Sequence, residues 1–124
     1  GVLHVGGAYQ GSGNTYRAQT TFIDDGAILR ANAQLRGNGG EVVVWSNGET
    51  SYAGSILARG GAEAGDGGLV EVSGKQTLFF SGMVDAGATY GNAGSLLLDP
   101  YDFTIGMAEA GLITASCARA RARP

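Results

Sequence analysis

The sequence predicts an all-β chain wound as a parallel β-helix. It would be a solenoid fragment of about four coils over residues 1–106, followed by an irregular or short helical C-terminal tail over residues 107–124. Three observations predict it. Gly26, Gly40, Gly54, Gly68 and Gly82 recur at one constant interval, and Gly94 follows at a slightly shorter one. Two residues beyond each glycine stands an aliphatic side chain: Ile28, Val42, Ile56, Val70, Val84 and Leu96. Around these positions apolar residues alternate with mixed ones. That is the period of a strand with one buried face, and the helical period is absent up to Gly106.

Four residues beyond each glycine the pattern splits. Val44, Val72 and Leu98 follow Gly40, Gly68 and Gly94, whereas Arg30, Ala58 and Ala86 follow the other three. The full repeat is therefore two half-units, about 28 residues, within the usual range of solenoid repeats. Short strands between Gly-, Asn- and Ser-rich turns could also make a sandwich. A fixed offset between equivalent residues favours a solenoid, because stacking sets Val42 beside Val70 and Val70 beside Leu96. The residues expected to carry the scaffold are Gly26, Gly40, Gly54, Gly68 and Gly82 at turns, with Val42, Val44, Ile56, Val70, Val72, Val84, Leu96 and Leu98 in the core. Ala58 and Ala86 suit a tight corner, and Tyr52 and Phe80 fill the wider interior.

Composition narrows the function classes. The chain has 124 residues, the size of one domain, and 44% of them are hydrophobic, enough to form a core. Its 23 glycines follow no G-X-Y period, which excludes collagen. Residues 1–106 hold five basic side chains against ten acidic ones. An acidic body of net charge −5 offers no cationic stripe for a phosphate backbone, so no nucleic-acid partner is expected. No apolar run approaches the length of a membrane-spanning helix, so no membrane insertion is expected. The start, GVLHVGGAYQG, has none of the regions of a signal peptide, and the sequence reads as an internal piece of a longer protein.

Catalytic and metal chemistry finds little purchase. Asp24 with Asp25, and Asp99 with Asp102, are the closest acidic groupings, but each sits beside Gly or Pro as turn residues do. His4 and Cys117 are the sole histidine and cysteine, too few for a catalytic triad, a disulfide or a zinc site. The stretch GGAEAGDGG does not match the calcium-binding nonapeptide order. Two glycine-rich segments, GSGNTY and GKQT, lack the helix and the spacing that a phosphate cradle needs. No catalytic, metal or cofactor site is expected. Glu41, Glu71 and Asp99 fall at outward positions with different offsets from the glycines, as on a solvated face. Trp45, by its register, is expected to face outward with Val43, which makes it the candidate surface-contact residue for a sugar or a protein.

The repeats themselves carry a resemblance. The stretches GNGGEVVVWSNGETSYAGSILARGG, GDGGLVEVSGKQTLFFSGMVDAG and GNAGSLLLDPYDFTI resemble the repeat region of filamentous haemagglutinin-type exoproteins, bacterial passengers of two-partner secretion. The likeness runs from about Val5 to Ile105. It rests on the GG-x-V-x-V-x-S core, the Trp-Ser after its first copy and the L-L-L-D-P-x-D-x-T-I ending. It implies a right-handed parallel β-helix, secreted or displayed at the bacterial cell surface. It also implies passage through an outer-membrane two-partner secretion transporter that recognises an N-terminal domain not contained in these residues. Such proteins commonly act as adhesins, and the implied partners are host-cell glycans or matrix proteins. Beyond Ile105 the likeness ends. Residues 107–124 are expected to be a non-homologous basic tail, with disorder or a changed reading frame among its explanations. The expected function is that of a structural and adhesive, non-enzymatic segment. The alternatives are an inert spacer for a distal effector domain, or a fragment of a β-helical carbohydrate-active enzyme.

Overall fold

The structure, a computed structural model, describes residues 1–14, 16–99, 102–105 and 119–122, the last two stretches by their backbone alone. Its strands are β1 (Val2–Val5), β2 (Thr20–Ile23), β3 (Ile28–Arg30), β4 (Glu41–Ser46), β5 (Glu49–Tyr52) and β6 (Ser55–Leu57). They continue with β7 (Leu69–Gly74), β8 (Thr77–Phe80), β9 (Met83–Asp85), β10 (Ser95–Leu98), β11 (Asp102–Ile105) and β12 (Arg119–Ala122). A single short 3-10 turn, Tyr9–Gly11, is the only helical element among the described residues. The strands form three parallel sheets, ordered β1-β4-β7-β10-β12, β11-β8-β5-β2 and β3-β6-β9. The chain is all-β.

The register sets like on like. Val42 pairs with Val70 and Val70 with Leu96, and Val44 with Val72 and Val72 with Leu98. Tyr52 faces Phe80 in the second sheet, and Ile56 faces Val84 in the third. The offset between partners is the same in the middle of all three sheets and slightly shorter from β7 to β10. Each residue in these columns is buried, and together with Leu78, Ala58 and Ala86 they form one core between the sheets. The Tyr52 and Phe80 rings lie 5.0 Å apart between centroids, tilted by 40°. β-branched and leucine side chains dominate because each is surrounded on every side, as in other buried parallel sheets.

Ala58 and Ala86 mark where the backbone folds back on itself. The Gly68 amide donates to the Ala58 carbonyl, and the Gly94 amide to that of Ala86. A Cβ on Gly68 would collide with the Gly40 carbonyl oxygen and crowd the backbone of Gly39. Gly68 is therefore required by close approach, and its φ is not among the positive ones. Gly26 differs: a Cβ there meets nothing within 4 Å, although the repeat places it among the scaffold glycines. The reason is a shift in register. Ile28 pairs with Ser55, so Leu29 is the residue that faces Ile56, and Ile28 is exposed. Gly68→Ala is expected to lower the thermal midpoint by about 10 °C or more, whereas Gly26→Ala should leave it within a few degrees or raise it. Paired melting curves followed by circular dichroism check both.

Burial pushes the Tyr52 phenol well above its usual pKa, which a backbone hydrogen bond at Ile56 opposes only in part. The hydroxyl donates to the Met83 carbonyl. In the unfolded chain this phenol ionises near pH 10, so above that pH the unfolded state gains a charge that the folded state refuses. Stability contributed by Tyr52 is thus fully present below about pH 10 and falls as the pH rises further. Denaturant midpoints measured from pH 8 to 11.5 should drop at the alkaline end in the wild type. In Tyr52→Phe they should drop less.

Two expectations change here. The glycine spacing predicts two half-units per period, but the periods that begin at β1, β4 and β7 each cross three sheets; β2, β5, β8 and β11 form the sheet that the spacing does not mark. The irregular or helical tail is corrected at residues 119–122, which are strand β12, paired in parallel with β10 from Ser95↔Arg119 to Leu98↔Ala122. The alternation Arg-Ala-Arg-Ala has a strand's period of two, and β10 has a second edge to offer it. The rest of the tail lies outside the described residues.

Candidate functional site

β4 and β7 break the expected pattern of one buried and one wet face. From Val42 to Ser46 and from Val70 to Gly74 every residue is buried. Val43, Trp45, Glu71 and Ser73 alternate with the core residues, and all four are covered. Trp45 and Glu71 are covered by the segment between β1 and β2. It lengthens the first period, so that more chain separates the partners Leu3 and Val42 than separates Val42 and Val70.

This flap is held at three places. Trp45 lies beneath its glycines: a Cβ on Gly7 would sit 2.7 Å from indole Cδ1, and one on Gly11 2.6 Å from Cζ2. Gly11 also has φ +67°, a conformation that glycine adopts without strain. The Gln10 amide donates to Glu71 Oε1 at 2.7 Å, while Ser73 Oγ donates to Oε2 at 2.7 Å. At the far end the Asn47 amide donates to the Ala18 carbonyl and the Gly48 amide to that of Gln19, while the Ala18 amide donates back to the Gly6 carbonyl. Trp45 is thus 6% exposed, and the expectation that it faces outward is corrected. The alternation holds, but the outer face of β4 is a second interior. Glu71, expected on a solvated face, is corrected for the same reason.

Beside the flap runs a half-open groove of about 940 Å³. Gln10, Gly11 and Arg17 form one wall. Asn47, Lys75 and Gln76, from the β4–β5 and β7–β8 connections, form the other, with Gln19, Thr77 and the edge of Trp45 completing the lining. The connections are stacked by backbone bonds, from Lys75 to Ser46 and from Gln76 and Thr77 to Gly48, so the wall is as regular as the sheets beneath it. Gly48 in turn donates to Gln19, and Asn47 to Ala18, tying this wall to the flap. Arg17 Nη1 donates to the carbonyls of Gly11 at 2.7 Å and Gly13 at 3.3 Å, which fixes its guanidinium. Trp45 Nε1 donates to Asn47 Oδ1 at 3.3 Å. Among the described residues no carboxylate lines the groove.

The other acidic candidates stay apart from it. The Asp25 amide donates to Asp24 Oδ1 and the Ala27 amide to the Asp24 carbonyl, the bonds of a turn. Glu41 pairs with His4 Nε2 at 2.6 Å on the first sheet, both partly exposed. Asp99 is half-buried and engaged, while the Asp102 side chain and Cys117 lie outside what is described. Among the described residues no three His, Cys, Asp or Glu side chains are placed to hold a metal, and no helix is long and apolar enough to cross a membrane.

Sequence reasoning misses Arg17 and Lys75 as site residues. A partial signal exists in the two glycine-rich segments: Gly11, which opens GSGNTY, and Lys75 to Thr77 of GKQT line the groove, and Arg17 follows just after the first segment. Nothing in the sequence joins them, because the flap folds back over a distant part of the chain to bring them together. No protein-family model, curated protein or solved structure matches the chain.

Proposed function

We propose that the chain is a structural and adhesive segment of a secreted bacterial exoprotein of the filamentous haemagglutinin type, wound as a right-handed parallel β-helix of about four coils. One observation carries this reading: three parallel sheets share a single repeat that stacks like side chains on like. The path from β4 through β5 and β6 to β7 leaves one sheet and returns to it in parallel, a connection that is right-handed in nearly all proteins. Backbone ladders between coils make such a rod stiff, and its outer side chains present many weak contacts at fixed spacing. In the cell the parent protein would reach the surface through an outer-membrane two-partner secretion transporter, engaged by a domain outside these residues.

The function is binding without catalysis. The test is exposure of the purified chain to arrays of glycans and matrix proteins, with saturable binding to at least one as the expected result. Silence from a sample with a cooperative thermal transition would make these coils an inert spacer. Release of new reducing ends from a polysaccharide would make them an enzyme fragment.

A further inference from the structure

We propose that the groove beside the flap binds an acidic oligosaccharide, with Arg17 and Lys75 pairing its carboxylate or sulfate groups. This rests on the adhesive reading above and names the ligand class and the place.

The charge distribution points to an anion. Residues 1–99 carry nine acidic and five basic side chains, yet two of the five bases and none of the acids line this groove. Neither base is neutralised by the protein: among the described residues Arg17 and Lys75 take part in no ion pair, whereas Arg36 and Arg59 pair with Glu63 and Asp85. The Arg17 guanidinium is anchored through Nη1 to two carbonyls, so its remaining edge is held in place to meet a planar anion in a two-point contact. Lys75, exposed in the connection between β7 and β8, adds a second cation to the lining.

The remaining lining points to a sugar. Gln10, Gln19, Asn47 and Gln76 supply amides, each able to donate and accept, as a row of hydroxyls requires. A volume of about 940 Å³ is at the upper end of ordinary ligand sites, enough for several sugar units. A nucleic acid would need more than two cations on an otherwise acidic surface.

Trp45 is the only tryptophan in the chain and touches the groove, so its fluorescence reports occupancy directly. The intact chain would be titrated with hexasaccharides of hyaluronan, which carries carboxylates only, of chondroitin 4-sulfate, which adds sulfates, and of neutral maltose units. Saturable change with an acidic chain but not with the neutral one is expected, and the tighter of the two acidic chains identifies the anion. Lys75→Gln should weaken binding about tenfold, with Lys75→Arg restoring most of it, and added salt should weaken the wild type. Equal response to the neutral chain, or indifference to Lys75→Gln, would overturn the proposal. An array hit that survives Lys75→Gln would leave the adhesive reading standing while removing this groove from it.

Discussion

Val70→Asp is expected to abolish the cooperative thermal transition. Val70 is fully buried, with Val42 on one neighbouring strand and Leu96 on the other. A carboxylate there meets only apolar side chains, and either its charge or its protonation must be accommodated without a partner. The cost exceeds about 4 kcal/mol, comparable to the whole stability of a small domain. Phe22→Asp is the control, since Phe22 is 67% exposed on the outside of β2; its effect should stay within about 1 kcal/mol. A near-normal melting curve for Val70→Asp would mean that the columns face another way.

Trp45→Ala is expected to be the second most damaging change, for a different reason. The indole is the body on which Gly7 and Gly11 rest, so its loss leaves a cavity beneath the flap and removes the bond to Asn47. Large-to-small changes of this kind cost about 3 to 5 kcal/mol. The flap should loosen before the sheets do. Hydrogen exchange should therefore accelerate at the Gln10 amide, which is bonded to Glu71, more than at amides of β7 and β8. Uniform acceleration would mean that the flap and the sheets open as one unit. Because Trp45 supports the flap, loss of binding in Trp45→Ala would not identify it as a ligand contact, and Lys75 is the better residue for that purpose.

The stacking was legible because it depends on local spacing. Val42, Val70 and Leu96 are separated by nearly constant intervals, and parallel pairing converts constant intervals into columns. The second sheet was half legible: Tyr52 and Phe80 stood out as large residues before small ones, but no glycine of the recurring series opens their strands. The flap was not legible. Strand alternation told correctly that Trp45 and Glu71 share the face opposite the core, and nothing local told that residues 6–11 fold back over that face. Burial of an outer face is a long-range fact, set by the bond from Gln10 to Glu71, far apart in the chain. The groove depends on the same return of the chain, so Arg17 and Lys75 could not be joined from the sequence.

The parallel stack, with one shared offset between the middle strands of its three sheets, is tested most directly by cross-linking on an exposed face. Ser51 and Phe79 are paired neighbours on β5 and β8, with strands about 4.8 Å apart, within the range that a disulfide spans. In a Cys117→Ser background, the Ser51→Cys, Phe79→Cys protein should oxidise readily to an intramolecular disulfide and melt at a higher temperature than its reduced form. The pair Glu49→Cys, Phe79→Cys, shifted by two positions along β5, should remain reduced under the same conditions. Efficient closure of the shifted pair with failure of the first would contradict the register, and with it the stacked surface on which the proposed function rests.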